Sequence, residues 1–588
     1  MSQNYDELPD EIWDLILTQL TDHHHHEPLS LVNKHLLSLT NHNRHKLTVT
    51  NPTYTIHTTL TPLLNRFNNL KSLNLTQLTH NNLVTALTEI TNSLIVNTLT
   101  SLDISDHDYV PIDLLMRLGG KCRLRVLKCG NVARLGDEDL RGIAKAFPDL
   151  EEVDLSCGKF KFAVREYGFY EVMITDEGVE CLASGLRDLV RVNLSKNSLL
   201  TDKSMYFLSE KCVRLEEVVV VDCTLITMRG VRFVLDNSRN VRVMGMSVVL
   251  GLRGNESLFV DGGRSGRFLS ELSFKDSDFS DEFLDGIVEA RLPLKSVSFV
   301  DCNKYSINGL LRLLHVYRLI KVLDLSRNYS LSDDSVIVLS ECLSDLVKVR
   351  FNFCKLTSTA LFALVKNCLS LEHVELSHTC LGKEEGAVMD VLKRPNSSIK
   401  YMNLSANSDM SDELLVQITS VCPKLKVLHV SSCSRITGSI GEILNNCREI
   451  RNLSIQNCGG VKNLGLRMEA LKLEKLYMGR SGVNNDGLRE LAVRCNEIVK
   501  IDISGCQYVT TDAVIYMVKN CEKLREVNLM GCSNLNVYIV NWMVHTRPSL
   551  RKVIPPSYGV TTESQRLDML HHGCQVSDLE KSFYCGNK

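Results

Sequence analysis

The feature that most constrains this fold is a nine-residue pattern that recurs between Leu215 and Cys532. Each copy has an apolar residue, two variable residues, an apolar residue, one variable residue, another apolar residue, two variable residues and then Cys or Asn. Successive copies start roughly 26 residues apart, and a fixed period of this size is typical of stacked repeats. Each unit of such a stack buries its apolar residues against its neighbours, so the pattern predicts one elongated array. The clearest copies cover residues 346–354, 425–433, 498–506 and 524–532.

The period and the apolar spacing are those of leucine-rich repeats, in which a strand is followed by a turn and a helix. We therefore predict an α/β fold, a right-handed leucine-rich-repeat solenoid (a horseshoe) of about 19 repeats over residues 51–555. A small N-terminal helical module (residues 1–50) and a C-terminal cap or tail (residues 556–588) flank it. The first apolar residues of the predicted strands are Leu70, Leu99, Leu124, Leu150, Leu189, Leu215, Val241, Leu269, Leu294, Ile320, Leu346, Leu371, Ile399, Leu425, Ile450, Leu473, Ile498, Leu524 and Leu550.

The segments between the strands are typical of helices. In residues 510–521, Thr511 or Asp512 can cap a helix, and apolar residues then recur at helical spacing. Residues 331–339 and 410–418 repeat this order of polar and apolar residues, which predicts one helix in each repeat.

Ten of the 21 cysteines form five pairs that share one spacing within the repeat, with one member before a strand and the other after it. We expect them to be structural thiols, because the N-terminus does not read as a secretion signal and a cytoplasmic or nuclear location is the default. None of the repeat pairs has the C-x2-C spacing of a zinc site, and Asn197, Asn328 and Asn407 take the post-strand place in other copies. The pairs with one shared spacing are Cys212/Cys223, Cys422/Cys433, Cys447/Cys458, Cys495/Cys506 and Cys521/Cys532.

The first 50 residues do not fit the repeat. Leu8, Ile12, Ile16 and Leu20 recur at helical spacing, and Pro9 followed by acidic residues is typical of a helix start. A second helix is predicted from Pro28 and a short third one over residues 43–47. A unit of this size is near the lower limit for independent folding, so a partner or the adjoining repeats should support it.

Residues 8–20 (Leu-Pro-x-Glu-Ile-x-x-x-Ile-Leu-x-x-Leu) and 29–34 (Leu-Ser-Leu-Val-x-Lys) resemble the F-box. The family often has Cys where Asn33 stands. Residues 37–47 resemble plant F-box proteins that carry cysteine-containing leucine-rich repeats, and the two resemblances together cover nearly the whole chain. They imply an adaptor subunit of a Skp–cullin–F-box ubiquitin ligase. The residues that would dock the Skp-type adaptor, or pack behind the docking surface, are Leu8, Pro9, Ile12, Ile16, Leu17, Leu31 and Val32.

Substrate binding is expected on the third and fifth residues of each strand pattern, because alternate side chains of a strand face opposite sides. The fifth residues are Asp324, Arg350, Glu375, Asn403, His429, Ser454, Tyr477, Asp502 and Asn528, and the third residues include Lys348, His373, Tyr401, Lys475 and Lys500. An aromatic insert over residues 160–170 could add to this surface. The candidate substrate-binding residues are Lys348, Arg350, His373, Tyr401, His429 and Tyr477.

Other candidate chemistry is weak. The histidines at residues 23–26 are interpreted as a solvated loop, residues 262–267 as a surface loop, and His571, His572 and Cys574 as a weak metal signal. The sequence has no G-x-S-x-G elbow or H-E-x-x-H helix. We therefore expect no catalytic centre, no metal and no cofactor.

The favoured hypothesis is a non-catalytic substrate adaptor with a protein substrate, a Skp-type adaptor and, through the complex, a cullin as partners. A net charge of -2 provides no field that would attract nucleic acid or a membrane surface. A binding scaffold outside the ligase system is the main alternative. A small-molecule co-receptor like the auxin and jasmonate receptors is another, but Asp324 and Glu375 flank the Lys348–Arg350 pair that a phosphate-rich ligand would need.

Overall fold

The computed structural model describes residues 8–20, 26, 29–50, 56–158, 173–247, 266–383, 395–466, 471–536, 538–557 and 561–576. The predicted aromatic insert (residues 160–170), His23–His25 and most of residues 251–267 lie outside these ranges. The chain divides into two compact units, Met1–Asp278 with Glu289–Pro293 and Phe279–Val288 with Leu294–Lys588. They are called the N-terminal and the C-terminal unit and are described separately.

The N-terminal unit is a parallel sheet in which each strand pairs with the next one along the chain. Its strands are β1 (Lys46–Thr50), β2 (Ser72–Gln77), β3 (Ser101–Asp103), β4 (Val126–Lys128), β5 (Glu152–Asp154), β6 (Arg191–Asn193), β7 (Glu217–Val220), β8 (Val243–Met246) and β9 (Glu271–Lys275). Its described helices are α1 (Asp10–Gln19), α2 (Lys34–His42), α3 (Ile56–Arg66), α4 (His80–Thr91), α5 (Ile112–Gly119), α6 (Asp137–Ala146), α7 (Asp176–Gly185), α8 (Asp202–Lys211) and α9 (Met228–Asn237), with a 3₁₀ turn at Leu94–Asn97.

The C-terminal unit has the same parallel pairing of consecutive strands. Its strands are β10 (Ser296–Val300), β11 (Val322–Asp324), β12 (Lys348–Arg350), β13 (His373–Glu375), β14 (Tyr401–Asn403), β15 (Val427–His429), β16 (Asn452–Ser454), β17 (Lys475–Tyr477), β18 (Lys500–Asp502), β19 (Glu526–Asn528), β20 (Lys552–Ile554) and β21 (Gln575–Val576). The described helices that begin in it are α10 (Asp281–Ala290), α11 (Ile307–Val316), α12 (Asp333–Cys342), α13 (Ser358–Asn367), α14 (Asp412–Ser420), α15 (Ile440–Asn446), α16 (Asn485–Arg494), α17 (Thr511–Asn520), α18 (Ile539–Thr546) and α19 (Glu563–His571).

Every predicted strand is present. Each of β2–β20 begins two residues after the first apolar residue of its copy, and equivalent repeat positions face each other, as Lys348 faces His373 and Arg350 faces Glu375. The first, fourth and sixth residues of the pattern are fully buried, for example Leu346, Val349 and Phe351. Burying each large apolar side chain contributes about 1.5–3 kcal/mol. The fold is a leucine-rich-repeat solenoid.

Three predictions at the ends of the chain need correction. Residues 43–47, predicted as a third helix, form the C-cap of α2, a short link and the start of β1, because Lys46–Leu47 pair in parallel with Ser72–Leu73. Strand β21 lies in the predicted tail and pairs with β20. His26, predicted to be solvated, is buried, and its Nε2 lies 2.9 Å from the Leu20 carbonyl oxygen.

The cysteines form columns of thiol hydrogen bonds between repeats. Cys354 donates to the Leu325 carbonyl (3.3 Å) and Cys506 to the Met478 carbonyl (3.2 Å), and Asn407 donates to Leu376 (2.9 Å) in the same way. Burial raises the pKa of Cys354 to about 12, so the thiol keeps its proton and remains a donor. Each of the twenty described cysteines is free, which supports their interpretation as structural thiols.

A second link between repeats joins the starts of successive helices. The first residue of α7, Asp176, accepts hydrogen bonds from the backbone N–H (2.9 Å) and the hydroxyl (2.6 Å) of Thr201, the N-cap of α8. Asp202 binds Thr227 in the same way. In α17 the N-cap is Thr510, one residue before the predicted Thr511. The starts of α8 and α9 are thus held by a side chain of the preceding repeat as well as by their own caps.

We expect Asp176→Ala to lower the free energy of unfolding by about 1 kcal/mol at pH 7. Burial alone would raise the pKa of Asp176, but hydrogen bonds from Ser204 and Thr201 outweigh it and lower the pKa. A lowered pKa in the folded state stabilises the protein above the pKa of the unfolded chain, and this stabilisation is lost as pH falls through the folded value. Urea unfolding of both proteins should therefore differ at pH 7, and the difference should shrink as the pH falls below 3.8, the ordinary pKa of an Asp side chain. A pH-independent difference would contradict this assignment.

Candidate protein-binding sites

The N-terminal module is a pair of helices with a very small core. Leu17 of α1 packs with Leu36 and Leu39 of α2, and Trp13, Leu20 and Leu29 close the sides. Leu17, one of the candidate docking residues, is only 1% exposed. Its side chain therefore packs inside the module and is not accessible to an adaptor. Asn43 also ties the helices together, because its amide donates to the Asp14 carboxylate at 2.6 Å.

A second apolar stripe on α1 faces solvent. Leu8, Ile12 and Ile16, which are among the candidate docking residues, are exposed, and Pro9 is exposed at the helix start. The sequence reasoning missed Leu15, which is 62% exposed and lies one residue before Ile16. The i, i+3 and i+4 spacing places Ile12, Leu15 and Ile16 on one face of the helix. We call Leu8, Ile12, Leu15 and Ile16 the α1 patch.

The predicted second helix is interrupted by a turn. Leu29 and Ser30 form a helical turn, Leu31 and Val32 lie in the turn that follows, and α2 begins at Lys34. Asn33 is the N-cap of α2 and accepts the Leu36 N–H at 2.7 Å, which gives a structural reason for Asn where the F-box family often has Cys. Leu31 and Val32 are 76% and 65% exposed. Both are therefore accessible, as a docking role requires.

We expect Leu17→Ala to unfold the N-terminal module without unfolding the repeats. A buried Leu→Ala change costs about 2–5 kcal/mol, and the core formed by the described residues of this module has only three buried apolar side chains. Hydrogen exchange should become fast in Asp10–Gln19 and Lys34–His42 and stay unchanged in β10–β20. Retained protection of both helices would contradict the small core described above.

In the C-terminal unit the predicted cations lie among carboxylates. Arg350 binds Glu375 (Nε to Oε1, 3.1 Å) and Asp324 (Nη1 to Oδ2, 3.6 Å), and Lys348 lies 3.7 Å from the same Glu375 oxygen. These carboxylates offset the positive charge that a phosphate-rich ligand would require. The arrangement is instead a half-buried, charge-balanced surface of the kind that suits a polar protein partner.

Three aromatic rings continue this surface along neighbouring strands. His373 stacks on Tyr401 with ring centroids 5.4 Å apart, and His429 meets Tyr401 edge-on at 5.5 Å. Burial lowers the pKa of His373 and His429 and raises that of Tyr401, so all three are uncharged near neutral pH. His429 Nε2 is buried and has no hydrogen-bond partner among the described residues.

Tyr477, predicted to contact substrate, is only 4% exposed. Ile554 of β20 and Met530 pack against its ring, although Ile554 lies three strands away. Gln456 similarly reaches Asp502, two strands away, with a hydrogen bond of 2.9 Å, and Asp502 is fully buried. Tyr477 therefore belongs to an internal cluster with Ile554 and Met530 instead of the accessible surface.

The N-terminal unit carries a separate acidic group that the sequence reasoning did not single out. The Nε atom of Arg191 lies 3.0 Å from the Glu152 carboxylate. Burial raises the pKa of Glu217, and the nearby carboxylates of Glu152 and Glu271 raise it further, whereas Arg191 lowers it by less. All four are third residues of the strand pattern. Applying the third-position rule to β5–β9 would have found them.

No protein-family profile matches the chain. A 123-residue segment is 24% identical to the Antagonist of mitotic exit network protein 1 of Eremothecium gossypii, and covers 20% of this chain and 31% of that protein. The chain thus spans about a third of the length of this curated relative. Among solved structures, it is similar to a yeast complex of Rad7 and Elc1 (13% identity, 69% of this chain and 85% of that one, TM-score 0.42). It is also similar to a complex of TLR13 with ssRNA13 (14% identity, 87% and 74%, TM-score 0.35).

Within the described residues, no helix is both long and apolar enough to span a membrane.

Proposed function

We propose that this chain is the substrate-recognition subunit of a Skp–cullin–F-box ubiquitin ligase and has no catalytic centre of its own. The N-terminal module docks a Skp-type adaptor, and the strand face of β11–β15 binds a protein substrate, in the cytoplasm, the nucleus or both. One observation carries the proposal: the residues that resemble the F-box include exposed apolar side chains on a module with a very small core of its own.

The exposed apolar residues support the docking half of the proposal. Leucine and isoleucine side chains that a folded chain leaves together in solvent are typical of an interaction site. Ile12 and Ile16 hold positions that the resemblance assigns to docking, and Leu15 adds a third large side chain on the same helix face. A docked adaptor would cover this face and stabilise a pair of helices that has little core of its own.

The strand face supports the substrate half. Lys348, Arg350, His373, Tyr401 and His429 are half-buried on consecutive strands, which fixes their side chains before a partner arrives. Their mixture of balanced charges and aromatic rings is suited to a protein surface. The carboxylates beside Arg350 make a small phosphate-rich ligand the weaker alternative.

The proposal is tested by recovering the full-length chain from cells and measuring which proteins accompany it. We expect a Skp-type adaptor and a cullin in the recovered complex, and the purified chain alone should transfer no ubiquitin. Recovery of a folded chain without any cullin or Skp-type adaptor would favour a binding scaffold outside the ligase system and would overturn the proposal.

A further inference from the structure

Three side chains that can bind a metal ion meet between the last two described helices. His545 lies in the last turn of α18, and Asp568 and His572 lie four residues apart at the end of α19. One ligand atom from each residue lies within 4.8 Å of the other two. His545 Nε2 is 3.5 Å from Asp568 Oδ2, and His572 Nε2 is 3.9 Å from Asp568 Oδ1. All three side chains are exposed.

These distances fit a first-row divalent ion. Zinc binds imidazole nitrogen and carboxylate oxygen at about 2.1 Å, which places neighbouring ligand atoms of a tetrahedral site about 3.4 Å apart. His545 Nε2 already has nearly this separation from Asp568 Oδ2, whereas His572 Nε2 is 3.9 Å from the other oxygen, Oδ1. One ion contacts all three residues if the carboxylate rotates slightly or binds through both of its oxygens.

The hydrogen bond at the other ring nitrogen of His545 favours metal binding. Its Nδ1 lies 2.8 Å from the Asn541 carbonyl oxygen, which can only accept a hydrogen bond. The proton therefore sits on Nδ1, and Nε2 is directed towards Asp568 with its lone pair available when the ring is neutral. A backbone carbonyl that holds the second nitrogen is the usual support for a histidine ligand of zinc.

We propose that His545, Asp568 and His572 form a binding site for a divalent ion of the zinc type, with water in the remaining position. Two imidazoles and one carboxylate are a ligand set that zinc accepts, whereas calcium and magnesium prefer oxygen alone. Because the ligands come from α18 and α19, the ion joins the last two described helices. Helices at the end of a stack have fewer neighbours, so this link stabilises the part of the C-terminal unit that most needs it.

The test titrates the full-length chain with zinc chloride, with calorimetry to give affinity and stoichiometry. We expect a site that His545→Ala combined with His572→Ala weakens at least about tenfold. Zinc should also slow hydrogen exchange in Ile539–Thr546 and Glu563–His571 of the wild type, and this protection should be absent from the double variant.

The matched control replaces two exposed histidines elsewhere, His42→Ala with His315→Ala, and should leave both the affinity and the protection unchanged. The buried repeat cysteines should not compete, because burial raises the pKa of thiols such as Cys495 and Cys521 to about 12. The proposal is overturned if the chain takes up no zinc, or if the double variant keeps wild-type stoichiometry, affinity and exchange protection.

Discussion

Replacing Leu15 and Ile16 together with Asp should abolish adaptor binding, with a loss of affinity of at least about 100-fold. Both side chains belong to the α1 patch and are exposed in the free chain, so the change costs the module little stability. In the complex the new carboxylates would be buried against an apolar surface without partners, which costs several kcal/mol. The measurement is the dissociation constant between the purified full-length chain and a Skp-type adaptor, by biolayer interferometry.

The control carries the same kind of change outside the module. Leu199 and Leu225 are also exposed, so Leu199→Asp with Leu225→Asp adds equal charge and should bind the adaptor like the wild type. Leu17 is not a suitable test position, because its replacement should unfold the module and would abolish docking for a different reason. Equal affinities of the patch variant and the control variant would show that the α1 patch is not the docking surface.

The second large effect concerns Tyr401 and Tyr477, which the strand pattern places on the same face as candidate substrate-binding residues. Tyr401→Ala should reduce substrate capture by about 30-fold, as expected for a hot-spot aromatic residue, while costing only about 1 kcal/mol of stability from its ring contacts. Tyr477→Ala should instead lower the free energy of unfolding by about 3 kcal/mol, because it leaves a cavity against Met530 and Ile554. Tyr401→Phe keeps the ring and should retain most of the capture.

Substrates for this comparison would come from proximity labelling with and without proteasome inhibition, in which degraded substrates accumulate under inhibition. Capture of one such protein by the wild type and the three variants is then compared with urea unfolding of the same proteins. An unstable Tyr401→Ala protein with normal capture, or a stable Tyr477→Ala protein that has lost capture, would reverse the roles assigned to the two residues.

The repeat architecture could be predicted because each strand leaves its own short pattern in the sequence. A strand that buries its first, fourth and sixth residues produces the same short pattern in every copy, so β2–β20 could be located to the residue. Strands β1 and β21 were not predicted, because they lie at the ends of the array. A terminal repeat needs to match only one neighbour, and its sequence is correspondingly atypical.

The docking module could be predicted only in outline. Helical spacing identifies an amphipathic helix, but α1 has apolar residues on two faces, and spacing alone does not say which face is inside. The packing partners Leu36 and Leu39 decide that Leu17 is buried and that Leu15 is exposed.

On the proposed substrate face, the strand pattern predicts which side chains face outwards but not which of them are then covered by other strands. Alternation along one strand correctly separates core from surface at Lys348, Val349 and Arg350. It carries no information about contacts across several strands, and the burial of Tyr477 by Ile554 depends on how four strands are arranged in space. The proposed zinc ligands could not be found from the sequence for the same reason, because His545 and Asp568 lie on different helices.

The most direct measurement of the central claim is site-specific photo-crosslinking of the full-length chain in the presence of a Skp-type adaptor. A photoreactive amino acid is placed at Ile12 or Leu15 in the α1 patch and, as the matched position, at Leu225. We predict that the adaptor crosslinks from Ile12 and Leu15 and not from Leu225. No crosslink from the α1 patch, or crosslinks only from Leu225, would contradict the proposal that this module docks the adaptor.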